Sequence, residues 1–159
     1  MTKTGAVKIT TPTDRELVMT RVFDAPRGMV FDALTKADLV KRWLLGPPGW
    51  TMPVCEIDLR VGGKYRYAWQ NADGRKMGMG GTFKEIVRPS RIVTAELFDE
   101  DWTGGETLVT TEIVETNGKT TITTTVRYSS REARDGAIKT GMAKGVEASY
   151  DRLEALLQA

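Results

Sequence analysis

The chain of 159 residues contains no histidine and one cysteine, Cys55. The first absence removes the commonest general base, the base of hydrolytic triads and the usual zinc ligand at once. The second excludes an internal disulfide and fits a reducing compartment. Cys55 lies in the apolar–polar stretch 54–59, where a structural thiol is expected rather than a nucleophile, since no histidine can activate it. Long apolar runs are missing too, and none approaches the length that crosses a bilayer. Residues 1–14 are rich in Thr and Lys without the apolar segment of a secretory signal, so they are expected to form a disordered lead-in. The glycines match neither a dinucleotide fingerprint nor a phosphate loop, and the carboxylates lack calcium-loop spacing. No cofactor and no metal is expected. The net charge is only +2. With Lys and Arg scattered along the chain, neither nucleic acid nor a membrane is an expected partner, and a cytoplasmic location is the default expectation.

What is present suits one core: 40% of residues are hydrophobic and 28% charged, and residues 15–159 read as a single domain. Residues 17–23 are β-branched and aromatic, a first strand. Pro26 then opens a short helix, and a second runs from about 36 to 43 before Gly46-Pro47-Pro48-Gly49 stops it. Strands are expected at 54–59, 64–69, 79–87, 92–98, 107–115 and 120–128, the last two joined across Asn117-Gly118 in a tight hairpin. The loop 99–105 carries Trp102. Ser129 with Glu132 forms a capping box for one long helix from 131 to 157, with an apolar stripe at Ile138, Met142, Val146, Leu153 and Leu156. Strands joined by short turns should be antiparallel, with the helices over one face. The class is α+β: a curved antiparallel sheet wrapped around a long C-terminal helix, with two short helices after strand 1.

The distinctive chemistry is apolar and aromatic. Tyr65, Tyr67 and Trp69 alternate onto one strand face, while Trp43, Met52, Met79, Phe83 and Met142 lie on segments that converge beneath the helix. A second stripe on that helix, Ala137, Gly141, Gly145, is made of very small residues. Each helical glycine costs roughly 1 kcal/mol relative to Ala, so the helix either approaches another surface closely or leaves a hollow beneath it. Gly78-Met79-Gly80-Gly81 leads into a strand and reads as room for close backbone approach or a bulge. Asp58 and Arg60 are expected to pair at a strand end. Glu96 and Glu112 sit mid-strand; an outward surface pair is the expected role of each, and an inward one would be a candidate acid or base.

Further motifs carry a resemblance. They are Arg21-Val22-Phe23 before Ala25-Pro26, Trp43 with Gly46-Pro47, and the stretch from Asp58-Leu59-Arg60 through Gly62-Gly63 to Lys64-Tyr65. Gly81-Thr82-Phe83 with Pro89, and Gly141-Met142 with Tyr150-Asp151-Arg152-Leu153, complete the set. Over residues 17–157 the chain resembles a bacterial member of the activator of heat-shock-protein-90 ATPase homologue-like branch of the START/SRPBCC superfamily, which is related to polyketide cyclases. The resemblance implies the helix-grip (START-like) fold with a cavity between sheet and helix. Many members carry a second Trp at the position of Leu44 and a Trp at that of Met142, and both departures alter the cavity wall.

The leading expectation is therefore a hydrophobic cavity that binds a small hydrophobic or amphipathic molecule without catalysis. It would be lined by Trp43, Met52, Tyr65, Tyr67, Trp69, Met79, Phe83, Glu112, Gly141, Met142 and Gly145. A stress-response protein that binds a chaperone, and a cyclase-like enzyme using an inward Glu112 or Glu96, are the two other readings. An exposed edge strand admits either a monomer or a homodimer.

Overall fold

A computed structural model describes residues 6–100 and 105–158. Eight strands form one curved antiparallel sheet in the order β1-β2-β8-β7-β6-β5-β4-β3. In chain order these are β1 (Lys8–Thr10), β2 (Glu16–Phe23), β3 (Trp50–Ile57), β4 (Lys64–Asn71), β5 (Lys76–Val87), β6 (Arg91–Phe98), β7 (Thr107–Thr116) and β8 (Lys119–Arg127). Between β2 and β3 come α1 (Arg27–Thr35) and α2 (Ala37–Trp43), and after β8 come α3 (Arg131–Lys139) and α4 (Met142–Gln158). The helices lie across one face, which is the helix-grip arrangement. Trp102 lies outside the described residues.

Three expectations need correction. Lys8–Thr10 are not a lead-in: they pair with Val18, Met19 and Thr20 as an edge strand, because Val7 just before them packs into the core. The C-terminal segment is two helices, not one. Gly141 adopts φ +78 and breaks the run after α3, a left-handed turn that only glycine takes without a Cβ clash. The break rotates the phase, so Ala137 is buried while Ile138 is exposed. The cap of α3 is Ser130, whose Oγ accepts from the Ala133 N–H at 3.0 Å, one residue beyond the expected box.

The hairpin at Asn117-Gly118 forms as expected, with φ 53 and 78 at its two turn residues, the type I′ combination. The alternation in β2 turns Leu17, Met19, Arg21 and Phe23 inward. Arg21 is thus a buried charge; it donates from Nη1 to Asp151 Oδ1 of α4 at 2.9 Å, and its guanidinium lies 5.1 Å from the Phe23 ring centre and 6.0 Å from that of Tyr150. This contact ties α4 to the sheet, since an unpaired guanidinium there would be costly. Two apolar clusters result. One gathers Phe23, Trp43, Tyr65, Phe83, Tyr150 and Leu153; the other gathers Leu17, Met19, Val126, Tyr128 and Ala137, and Val146 touches both.

Candidate functional site

The inward face of the sheet between these clusters is polar at its floor. Pairing of Tyr65 with Gly81, and of Gly81 with Glu96, puts the three residues in one row on the same face. The Tyr65 hydroxyl donates to Glu96 Oε2 at 2.7 Å. Gly81 makes this possible: a Cβ at that position would stand 2.4 Å from the Tyr65 ring. The glycine run is therefore a seat for a side chain rather than a bulge, which falls instead between Phe83 and Glu85. Next in the row, Thr107 pairs with Glu96 and sends its hydroxyl to the Glu96 carbonyl at 3.4 Å. Tyr128, at the end of β8, donates to the sulfur of Met142 at 3.6 Å.

Burial pushes the Glu96 carboxyl up from its ordinary value, and the Tyr65 hydrogen bond offsets this only partly. Burial likewise raises Tyr65, Tyr67 and Tyr128, with the nearby Glu96 adding to each. Yet Glu96 and Tyr67 are only half-buried. Both side chains therefore combine ionisation dominated by burial with some remaining accessible surface. Met52, Phe98, Val109, Met142 and Val146 are also half-buried against the two clusters.

The expected site residues divide accordingly. Tyr65 and Tyr67 lie beside Glu96 and Met142 beside Tyr128, whereas Met52 is half-buried on β3 five residues from Ile57, the partner of Tyr65. Ring centres of Tyr65 and Tyr67 lie 5.1 Å apart, and those of Tyr67 and Trp69 6.0 Å apart. Met79 and Phe83 are buried in the first cluster. Trp43 and Trp69 serve as struts: their indole N–H groups donate to the Ala33 and Leu44 carbonyls at 2.8 and 2.7 Å. Glu112 is not in the site. It is exposed on the opposite face with Arg91 3.6 Å away, because Arg91 and Glu112 are outward cross-strand partners. Gly141 is an exposed hinge between helices. Gly145 neither leaves a hollow nor is required for the approach of the loop after α2, since a Cβ there would meet Pro47 Cδ at an ordinary contact distance of 3.6 Å. The Gly46 N–H donates to Ser149 Oγ at 2.8 Å and Arg152 donates to the Gly46 carbonyl at 2.7 Å, fixing that loop on α4.

Tyr128 is the residue sequence reasoning left out, while Glu96, expected as half of an outward surface pair, instead faces inward beside Tyr65. The signal for Glu96 was its phase: it shares a face with Thr94 and Phe98, and outward Val93, Ala95 and Leu97 are apolar too, which blurs the alternation. A separate groove of about 490 Å³ runs along the outer face, floored by Gly80 and flanked by Lys64, Arg66, Leu97 and Asp99. Among the described residues no group of His, Cys, Asp and Glu could hold a metal ion, and no helix is long and apolar enough to cross a membrane.

The match to known proteins follows the same architecture. The family model described as activator of Hsp90 ATPase homolog 1-like protein matches residues 24–158. A structure from Rhodobacter sphaeroides is 34% identical with a TM-score of 0.90, covering 96% of this chain and 97% of that one. One from Mycobacterium smegmatis is 24% identical with a TM-score of 0.83 over 96% of this chain and 97% of that one. An AHSA1-like protein of Aeromonas hydrophila superposes with a TM-score of 0.70 at 18% identity, covering 87% and 93% of the two chains. A search of curated proteins finds no match. With the family model spanning most of its length, the chain belongs to the activator of Hsp90 ATPase homolog 1-like family.

Proposed function

We propose that the protein binds a small hydrophobic or amphipathic molecule between its sheet and its C-terminal helices, with no chemical step. One observation carries this reading: Glu96 and Tyr67 lie deep enough for desolvation to dominate their ionisation, yet both keep accessible surface. Apolar walls at Met52, Phe98, Val109 and Val146 would supply most of the affinity, at roughly 25 cal/mol per Å² covered, and the Tyr65–Glu96 pair would orient a polar end. Native mass spectrometry of protein purified from its own host is expected to show a retained small molecule. A bare protein that also fails to take up the uncharged dye Nile red would refute the reading.

The inward carboxyl of Glu96 keeps a cyclase-like reading open, with Tyr65 beside it as proton relay; Glu112 has no part in it. Turnover of a small carbonyl or polyketide-like substrate, lost in Glu96→Gln, would favour that reading over simple binding. A chaperone-binding role would use the outer face, where Leu97 and Leu108 are exposed beside the groove. It requires that the chain bind purified Hsp90 and raise its ATPase rate; no binding and no change in rate ends it.

A further inference from the structure

Three hydroxyl donors of the inner site are already committed, and the Tyr67 hydroxyl is not among them. The Tyr65 proton goes to Glu96, the Tyr128 proton to the Met142 sulfur, and the Thr107 proton to a backbone carbonyl. What Tyr65, Glu96 and Thr107 offer an incoming molecule is mostly lone pairs. Beside them run the rings of Tyr65, Tyr67 and Trp69, whose centres follow one another at 5.1 and 6.0 Å.

Among the described residues the carboxyl also has no positive partner. The groups that bear on Glu96 are phenols, Tyr65 and Tyr67 from β4 and Tyr128 from the end of β8, with the Cys55 thiol of β3 beside Tyr67. From the helices, Met142 closes the Tyr128 side without a charge. Arg21 is the buried inward cation, and it is far away. Its level on the sheet passes through Ile122 to Ile113, six residues along β7 from Thr107, the partner of Glu96. At about 3.3 Å per residue that is about 20 Å, and Arg21 is already held by Asp151.

An acceptor-rich, aromatic-walled space with one acid and no base is complementary to a cation with hydrogens to donate. An ammonium brings three donors and no acceptor, and it gains from ring faces within about 6 Å. A carboxylate would meet a like charge, and an alcohol would gain neither the charge nor the ring attraction. We infer that the polar group this site accepts is a protonated amine, so that the ligand class is a hydrophobic amine held by Glu96 against the tyrosine rings. The inference rests on the binding function proposed above and specifies its ligand. Pairing needs an ionised Glu96 and a protonated amine, so affinity for the amine rises with pH until Glu96 is ionised in the free protein, then levels off, and falls as the amine loses its proton.

The test is displacement of Nile red by decylamine, decanol and decanoate, which share one chain and differ at the head. The wild type is expected to bind the amine about tenfold more tightly than the alcohol, with decanoate weakest. Glu96→Gln, which keeps an acceptor for Tyr65, should abolish the preference while alcohol binding stays. Glu112→Gln, the same exchange on the opposite face of the sheet, should retain the preference and serves as the control. Equal binding of amine and alcohol by the wild type, or a preference that survives in Glu96→Gln, overturns the amine assignment and leaves the binding function standing. If the wild type takes up neither Nile red nor any member of the series, the binding function falls, and this inference with it.

Discussion

Gly81 governs the site more than any residue that touches its interior. It faces Tyr65 across the β4–β5 ladder, and the Tyr65 ring occupies the place where a side chain would be. Gly81→Ala should displace that ring, break the Tyr65–Glu96 hydrogen bond and cost about 1–3 kcal/mol, as overpacking of a close-packed position does. Urea unfolding checks this; a change below about 0.5 kcal/mol would mean the ring is not seated there. Glu96 makes a second prediction, in pH. Its folded-state value is raised above the reference of 4.5, so folding favours its protonated form. The associated stability is complete below the unfolded value and is lost as pH rises through the folded one. As pH rises above the ordinary carboxyl value of 4.5 the wild-type Tm should therefore fall relative to that of Glu96→Gln. Parallel curves for the two proteins would show that Glu96 is not held above its ordinary value.

Gly141 and Gly145 looked equivalent in sequence, one turn apart on what read as a single stripe, and the structure separates them. Gly141 has φ +78 with open space around its Cβ position, whereas Gly145 is helical and faces Pro47 at an ordinary contact distance of 3.6 Å. Gly141→Ala should destabilise by about 1 kcal/mol through backbone strain. Gly145→Ala should be neutral or stabilise by up to about 1 kcal/mol through helix propensity. Thermal unfolding of the two single variants gives opposite signs if the break is real, and the same sign if 131–157 is one continuous helix. This element shows where sequence ran out. The strands and the Asn117-Gly118 hairpin were legible because alternation and turn chemistry are local. The break was not, because the spacing Ile138, Met142, Val146 continues a helical period straight through it. Arg21 was legible in phase, sharing a strand face with Met19 and Phe23, but its partner Asp151 lies 130 residues away and left no local mark.

At the scale of the whole molecule, two clusters share one sheet and Val146 bridges them, half-buried where the two meet. The candidate site is this seam rather than any single element. Sequence identified the aromatic face of β4 but not the floor, because Glu96 was brought inward by strand order and pairing across β5, β6 and β7. Leu153, by contrast, is fully buried on the same helix two turns on. The two positions on α4 therefore contrast a half-buried side chain at the seam with one sealed in the core. Leu153→Phe should destabilise by about 1–3 kcal/mol, because nothing there can yield without strain, and Leu153→Ala by about 2–5 kcal/mol through the cavity it leaves. Val146→Phe should instead leave the Tm unchanged or raise it, since added apolar surface enters a space already present, and it should abolish uptake of Nile red. A fall in Tm for Val146→Phe as large as that for Leu153→Phe would mean that the protein's own side chains already fill the seam.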